Sequence, residues 1–483
     1  MPLIFSHLLY LQVMETTGEL SGYQIIDNPE QVPARLMASG QVKIETKAID
    51  QALDLLRRPG LEKAVKEMVM TPDLHVGTGI PVGVIADITD KVVPSMIGRD
   101  IGCGMRLLVV EGVSAAEISR HRARLETRLR QIFFEGAREL YTSSRQRESI
   151  FRDGLHGLLQ TIADNAGQGL WQLYDPDQAM AELPRVHGYG RFATEGVFAG
   201  YRRYMTGSDR MKMPDSQLGS LGGGNHFAEL DRVDRIFEGA TAHAWGLHED
   251  DLVIFVHSGS LSIGAAAHDQ LGDPHQPLEV GRPDAGIYLQ AMHNAANFAF
   301  ANRLSLGLMM LKALTDVLHR PLTTQLVYDA PHNFIESTAD VWRHRKGATP
   351  SLGPESKYDQ ETFPSGHPVL IPGSMGSAGY VMIGTGSRAA LESTAHGAGR
   401  ALSRGRAARK TDPELQGLQV VTPTDLRRMC SLGRHDIADE QEKRIREEAP
   451  SAYKDIETVI DATEIAGAAR RVAALEPLLT VKG

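Results

Sequence analysis

The stretch MIGRDIGCGMRLL, residues 96–108, decides how this sequence is interpreted. Within it, Asp100 and Cys103 lie three residues apart, with glycines around them. Glycine permits the tight turn that would let a carboxylate and a thiolate share one cation or bridge two. The apolar residues that follow predict a strand leaving the turn. By itself the stretch favours a buried structural cysteine beside a turn aspartate, and it is the rest of the chain that reverses this preference.

Three histidines elsewhere stand where an apolar strand meets a turn. They are His226 in LGSLGGGNHFAEL (residues 218–230), His257 in DLVIFVHSGS (residues 251–260) and His332 in LVYDAPHNF (residues 326–334). One histidine at a strand end is more often a satisfied polar residue than a metal ligand. Three of them, together with Asp100 and Cys103, favour a metal centre.

A fourth histidine, His396, lies among glycines in STAHGAGRALSRGR, residues 393–406. Such a loop exposes an imidazole and several backbone amides, and three arginines follow, so it suits an anion such as a nucleotide phosphate. The glycine-rich segment PDLHVGTGIPVG, residues 72–83, could also wrap a phosphate, although this pattern is often only a tight bend.

The composition is that of a soluble globular protein, with 42% hydrophobic and 23% charged residues in a chain of 483. No linker or repeat divides it, so the sequence predicts a single domain over residues 1–483. The N-terminal MPLIFSHLLYLQV is predicted to be a strand rather than a signal peptide, and no apolar run is long enough to span a membrane. Two distant cysteines exclude a disulfide framework and favour a cytoplasmic location. The net charge of −9 argues weakly against indiscriminate nucleic-acid binding.

Periodicity and capping signals predict four helices. They cover residues 45–56, 114–133, 284–319 and 456–475. The second has a capping box of Ser114 and Glu117, and the third is either one helix or a pair. Lys482, near the end of the chain, is expected to be buried. Asn302 and Arg303 are the members of the third helix that we suspect of a role at the site. The arginines on the second helix, and the basic and aromatic mixture at residues 201–212, are either solvated or RNA-contacting.

Nine segments, in this order, resemble the RtcB family of GTP- and manganese-dependent RNA ligases. They are PDLHVGTGIPVG, GRDIGCGMR, GGGNHFAE, VHSGS, APHN, HRKGAT, PGSMG, STAHGAGR and the closing VKG. The resemblance runs from about residue 72 to the last residue. It implies an α+β fold in one large domain, with central β-sheets surrounded by helices.

The resemblance also implies site residues. Cys103 would bridge two Mn²⁺ ions, one also bound by His226 and His257 and the other by Asp100 and His332. His396 matches the nucleophile that attacks the α-phosphate of GTP and becomes histidyl-GMP. The other expected nucleotide contacts are Asn225 and Asn333 near the phosphates, Glu229 and Lys482 at the guanine, Gly397, Ala398 and Gly399 by the ribose, and Ser374.

The implied reaction joins RNA 2′,3′-cyclic phosphate or 3′-phosphate ends to 5′-hydroxyl ends through an activated RNA-3′-pp-5′-G end. An archease-like activator is known for the family, but nothing in this sequence reports one. The chain departs from the family pattern at Leu261 and Ser262, where arginine and glycine are usual, at Pro350 in place of arginine, and at Gly379 in place of serine. These departures suggest a divergent paralogue with altered contacts to RNA.

Two other functions stay open on the sequence. One is a guanylyltransferase that caps or repairs nucleic-acid 3′-phosphate ends without efficient sealing. The other is a catalytically silent, metal-bound protein that binds RNA ends. A metallophosphoesterase is a further alternative, but it would need no His396 nucleophile.

Overall fold

The computed structural model describes residues 22–39, 41–165, 167–204, 213–269, 273–358, 360–410, 415 and 417–483. The strands in the described part of the chain are β1 Tyr23–Ile25, β2 Ala34–Met37, β3 Val65–His75, β4 Val82–Ile88, β5 Lys91–Val92, β6 Gly104–Ser114, β7 Tyr141–Thr142, β8 Met213–Pro214, β9 Phe227–Ile236, β10 Asp251–Ser258, β11 Leu278–Glu279, β12 Thr324–Pro331, β13 Asn333–Thr338, β14 Val341–Lys346, β15 Ala348–Pro350, β16 Pro368–Ile371, β17 Gly379–Gly384, β18 Ser393–Ala395, β19 Val420–Val421 and β20 Ala469–Lys482.

The α-helices among the described residues are α1 Thr46–Leu53, α2 Ala115–Phe134, α3 Ser144–Thr161, α4 Pro176–Glu182, α5 Gly239–Ala244, α6 Ser262–Asp269, α7 Pro283–Leu318, α8 Arg404–Ala407, α9 Leu426–Ser431, α10 His435–Glu447 and α11 Ile456–Ile465. No helix of the described residues is long and apolar enough to cross a membrane.

Two large sheets organise the chain. A six-stranded sheet has the order β1-β2-β3-β4-β14-β13, and an eight-stranded sheet has the order β12-β6-β10-β9-β20-β17-β16, with β19 added alongside β20. Neighbours in the second sheet are antiparallel except for β19, which runs parallel to β20. The predicted α+β architecture with central sheets is confirmed.

The longest helix, α7, lies against the eight-stranded sheet. It is 36 residues long, and its buried residues share one apolar core with residues of α2, α3, β6 and β10. A helix that is apolar nearly all round is expected to be buried, as α7 is. The alternative of a helix pair over residues 284–319 is excluded, because one continuous helix ends at Leu318 and His319 takes a left-handed conformation.

Two shorter helix predictions are confirmed. The helix expected at residues 45–56 is α1, and the one expected at residues 114–133 is α2. The Ser114 side chain accepts a hydrogen bond from the Glu117 amide, as its half of the capping box requires. The apolar stripe of α2 is buried as expected, while its arginines pair in part with the protein itself, for example Arg128 with Asp316.

The helix predicted at residues 456–475 is wrong in its second half. The helix α11 ends at Ile465, Gly467 has a φ of 64°, and β20 begins at Ala469. Alanine, leucine and arginine in this segment favour a helix locally. However, β20 hydrogen-bonds to β9 on one side and β17 on the other, and this pairing inside the sheet overrides the local preference.

Some predictions fall outside the described residues. These are the N-terminal strand at residues 1–13 and the basic residues Arg210 and Lys212. Lys482 is tucked in as expected, because it closes β20 and is buried.

Candidate metal centre and nucleophile site

The candidate ligands meet at one end of three adjacent strands. Cys103 immediately precedes β6, which lies between β12 and β10. In the antiparallel register His257 of β10 is opposite Met105, and Pro331 of β12 is opposite Gly104. His257 and His332 therefore flank the cysteine from its two neighbouring strands.

The five candidate ligands form two groups that share Cys103. One group is Cys103, His257 and His332, and the other is Asp100, Cys103 and His226, with the ligand atoms of each group within 4.8 Å of one another. Cys103 Sγ lies 3.2 Å from Nε2 of both His226 and His257. Asp100 Oδ2 lies 2.7 Å from His226 Nε2.

The shared cysteine agrees with the ligand set implied by the resemblance, but the pairing of the other ligands differs. The structure groups Asp100 with His226, and His257 with His332. The physical reason is the strand order: β10 and β12 bring their histidines to Cys103 from both sides, whereas the turn before β6 directs Asp100 toward the loop that precedes β9.

Backbone carbonyls orient two of the imidazoles. His226 Nδ1 lies 3.1 Å from the Leu221 carbonyl, and His257 Nδ1 lies 2.9 Å from the Asn225 carbonyl. Because a carbonyl can only accept, Nδ1 donates in both rings, and Nε2 of each ring faces Cys103. Metal-bound histidines are typically oriented by such outer hydrogen bonds.

The electrostatics of the group favour neutral imidazoles at His257 and His332. Burial lowers the pKa of His257 and of His332 well below the usual value, and neighbouring cationic groups lower it further. Burial raises the pKa of the Cys103 thiol well above its usual range, and the Asp100 carboxylate adds to this rise. Burial would also raise the pKa of Asp100, but His226 beside it holds that pKa below the usual value. A bound cation would reverse the preference of the thiol, since coordination deprotonates it.

The donor set fits divalent cations. Among the described residues, Asp100 Oδ1 and His332 Nδ1 are buried without a hydrogen-bond partner. Such orphaned buried atoms are uncommon unless something else binds them. Ligand atoms about 2 Å from a shared ion lie about 3 Å apart, which matches the sulfur-to-nitrogen separations. Carboxylate oxygens suit Mn²⁺, imidazole is a common ligand of divalent transition metals, and a thiolate can bridge two cations.

His396 is held beside this centre by a buried carboxylate. Its Nδ1 lies 2.7 Å from Asp73 Oδ2, and its backbone amide donates to the same oxygen at 3.1 Å. The Thr71 hydroxyl donates to the other Asp73 oxygen. Burial would raise the pKa of Asp73, but His396 and the Thr71 hydrogen bond hold it below the usual value. An ionised Asp73 at this ion-pair distance favours a proton on Nδ1, which leaves Nε2 of His396 with its lone pair.

The ring of His396 lies close to a candidate metal ligand. Its centroid is 4.7 Å from that of His332. Both rings line a cavity of about 250 Å³ that the other candidate ligands line as well. The candidate nucleophile and both candidate cation sites therefore share one cavity.

Ten of the residues expected from the sequence line this cavity: Asp100, Cys103, Asn225, His226, His257, His332, Asn333, His396, Gly397 and Gly399. Asn333 also fixes the turns around it, because its amide donates to the Asp100 carbonyl and accepts from the Gly347 amide. The lining includes residues to which no role was assigned from the sequence, namely His75, Lys346 and Tyr453. Asp73 was missed as the partner of His396, although it stands in the singled-out segment PDLHVGTGIPVG.

The two residues expected at the guanine, Lys482 and Glu229, do not line the cavity that His396 lines. Lys482 lines a neighbouring cavity of about 460 Å³ with Arg404 and residues of α10, and its Nζ is buried without a hydrogen-bond partner among the described residues. Glu229 lies behind Lys482 and accepts a hydrogen bond from the Thr480 hydroxyl. Burial raises the pKa of Glu229 to about 7, against the opposing effects of Thr480 and Lys482.

Glu229, Ser374 and Ala398 do not line either of these two cavities. Ser374 instead shares a hydrogen bond of 2.8 Å with the Ser377 hydroxyl.

The departures from the family pattern lie in different settings. Leu261 is partly exposed with a φ of 53°, beside the glycine loop that leads to His226. Pro350 is buried in β15 opposite Ser393, and Gly379 begins β17 against Phe255. Of the four departures, Leu261 is partly exposed and Ser262 is exposed, whereas Pro350 and Gly379 are buried.

The fold and the site together define a class of protein in which two candidate cation sites share a thiol and adjoin a histidine next to a buried carboxylate. The chain belongs to the RtcB family, because the family model described as tRNA-splicing ligase RtcB matches residues 54–483.

Several relatives match over nearly their whole length. The RNA-splicing ligase RtcB of Mycobacterium tuberculosis is 34% identical over 479 residues, which cover 90% of this chain and 100% of the relative. The tRNA-splicing ligase RtcB of Nanoarchaeum equitans is 32% identical, over 94% of this chain and 95% of the relative. The corresponding protein of Archaeoglobus fulgidus is 31% identical with the same coverage.

Proposed function

We propose that this protein is an RNA ligase that joins 2′,3′-cyclic phosphate or 3′-phosphate ends to 5′-hydroxyl ends, using GTP and two Mn²⁺ ions. The relatives carry RNA-splicing or tRNA-splicing ligase names. The observation that carries the proposal is the position of His396: it is fixed by Asp73 and lines the same cavity as both candidate cation sites.

The first step is the transfer of GMP to His396. With Nδ1 held at Asp73, Nε2 attacks the α-phosphorus of GTP, a nitrogen–phosphorus bond forms, and pyrophosphate leaves. The ring gains positive charge as that bond forms, and the ionised Asp73 stabilises this charge at 2.7 Å.

The candidate ligands would hold the two ions against the phosphates. Bound there, Mn²⁺ supplies Lewis-acid stabilisation of the negative charge that develops on phosphoryl oxygens. Arg404 is the arginine best placed to assist, because it lines both cavities and its side chain is 57% exposed. Both arginines pair with Glu448, but Arg400 is less available, because its side chain is more buried and also donates to the Glu447 carbonyl.

The later steps release the histidine. Water first opens a cyclic phosphate to a 3′-phosphate. An oxygen of that phosphate attacks the phosphorus of histidyl-GMP, which frees His396 and activates the RNA end. The 5′-hydroxyl of the second strand then attacks the RNA phosphorus, its proton passes to solvent, GMP leaves and a phosphodiester forms.

One observation favours the second candidate, a guanylyltransferase that seals poorly. Leu261 places a partly exposed apolar side chain beside the loop that leads to His226, where the family pattern has arginine. This change would weaken RNA binding without altering His396. The ligase and the guanylyltransferase would both form the histidyl-GMP adduct, and only the ligase would join RNA ends efficiently. A catalytically silent end-binding protein would form no adduct.

The test is incubation of the purified protein with α-labelled GTP and Mn²⁺, followed by acid treatment. We expect an acid-labile protein adduct that maps to His396 and is absent in His396→Ala. His248→Ala is the control, because His248 is an exposed histidine whose side chain bonds to Asp251 of its own turn. An adduct that persists in His396→Ala, or maps to a lysine, would assign the nucleophile elsewhere. A panel of 3′-phosphate and 5′-hydroxyl RNAs then separates sealing from guanylylation alone.

A further inference from the structure

Two neighbouring residues of α7, Asn302 and Arg303, contact the segments that carry the candidate metal ligands. We infer that they are positioning residues, which hold the two cation sites in shape before any cation binds. This inference rests on the proposed metal centre. Neither side chain is a ligand, and both are fully buried.

Arg303 joins the turn before β6 to strands β10 and β12 beneath the cysteine. Its guanidinium donates to the Gly102 carbonyl at 2.6 Å and to the Ser258 carbonyl at 3.1 Å, so it contacts the residue before Cys103 and the residue after His257. It also pairs with Asp329 at 2.8 Å, three residues before His332. One planar group thus sets the relative positions of Cys103, His257 and His332.

Asn302 holds the other group of ligands. Its side chain accepts from the Gly219 amide at 2.8 Å and donates to the Ser220 carbonyl at 3.0 Å and the Gly259 carbonyl at 3.1 Å. The next carbonyl of this loop, that of Leu221, accepts from His226 Nδ1. Asn302 therefore fixes the loop that orients His226 and connects it to the turn after His257.

Close packing gives these contacts little freedom. Gly102 has a φ of 70°, and a Cβ added there would lie 2.8 Å from Cα of Ala296 in α7. The turn that carries Asp100 and Cys103 therefore lies directly on the helix. A shift of Arg303 cannot be absorbed by a gap, so it would move the ligands.

The same helix and the same ion cluster supply matched controls. Arg106 also pairs with Asp329, at 3.1 Å, and is buried, but no hydrogen bond joins its side chain to a ligand-bearing turn in the described residues. Asn297 is a fully buried asparagine of α7 with several backbone bonds, to Phe192 and Phe151, away from the site. Replacing these residues removes equivalent chemistry without releasing a ligand-bearing segment.

The experiment measures cation binding by the metal-free full-length protein, with Mn²⁺ in calorimetric titrations and Co²⁺ followed by its thiolate absorption band. We expect Arg303→Met and Asn302→Ala to weaken Mn²⁺ binding by about 10- to 100-fold, the usual effect of losing an outer contact of a metal site. We also expect a changed Co²⁺ band. Arg106→Met and Asn297→Ala should lower thermal stability comparably while changing Mn²⁺ affinity by less than about tenfold. Arg303→Lys should recover part of the affinity, because an ammonium group can still donate to one carbonyl.

The outcomes separate this inference from the proposed function. If the wild-type protein bound no Mn²⁺, the proposed metal centre itself would fail, and the inference with it. If the wild type bound two ions and the test variants bound them no worse than their controls, the inference alone would be overturned. Should Arg303→Met fail to fold, the comparison of Asn302→Ala with Asn297→Ala decides.

Discussion

Replacing Asp73 by asparagine tests the chemistry proposed for His396. The Asp73 carboxylate lies 2.7 Å from Nδ1 of His396 and also accepts from its backbone amide. Asparagine has nearly the same shape but no charge, and its amide group can turn a donor toward Nδ1. That would place the proton on Nε2, the atom that has to attack the phosphorus.

The expected magnitude follows from the contact that is lost. A hydrogen bond to a charged group contributes about 1.5–3 kcal/mol. If that interaction stabilises the charged ring only as the phosphorus–nitrogen bond forms, its loss slows guanylylation by about 10- to 150-fold, since 1.36 kcal/mol is tenfold in rate. An inverted tautomer would add to this effect. Mn²⁺ binding should not change, because Asp73 is in neither group of candidate ligands.

The assay is single-turnover adduct formation at saturating labelled GTP and Mn²⁺. Thr71→Val is the matched control: it removes the hydroxyl that donates to the other Asp73 oxygen and leaves the carboxylate at His396. The Thr71 hydroxyl also bonds to the charged carboxylate, but it does not contact the His396 ring, so we expect a smaller loss of guanylylation rate there than in Asp73→Asn. A wild-type rate in a folded Asp73→Asn protein would refute the role given to this carboxylate.

Three other predictions concern the metal, the RNA and acid stability. Elemental analysis should show that Cys103→Ala loses both ions and that His257→Ala loses one, because the two ligand groups share only the cysteine. Undiminished Mn²⁺ in Cys103→Ala would contradict a bridging cysteine. Leu261→Arg should lower the apparent KM for RNA in joining assays by about tenfold or more, because it adds one charge-assisted contact, and it should not change adduct formation. No gain would mean that another cation, such as Arg404, already holds the phosphate. His344 donates to the Trp342 carbonyl and accepts from the Val93 amide, and burial lowers its pKa to about 4. As pH falls from about 6.5 to 4, the unfolded chain therefore protonates this histidine before the folded protein does, and the free energy of unfolding falls across that window by up to about 3 kcal/mol from this residue. Denaturant titrations at pH 7 and pH 4.5 should show a smaller loss of stability for His344→Gln than for the wild type. An equal loss would exclude His344 as a cause.

Local signals were sufficient where one element depends mainly on its own residues. The capping pair Ser114 and Glu117 and the stripe at Ile118 predicted α2 because both act within a few turns of one helix. The C-terminal segment shows the opposite case. Residues 469–482 favour a helix by composition, but their strand is decided by β9 and β17, which are distant in sequence and pair with it on both sides.

The candidate site divides in the same way. The sequence by itself determined which residue types are present, namely a carboxylate, a thiol and histidines at strand ends, since strand ends and glycine turns can be recognised locally. It could not determine that Asp100 faces His226 while His257 and His332 flank Cys103, because that pairing follows from the order β12-β6-β10-β9. Nor could it reveal Asp73 beside His396, or Arg303 beneath the cysteine turn. These contacts join residues up to hundreds of positions apart, and only tertiary packing brings them within hydrogen-bond distance.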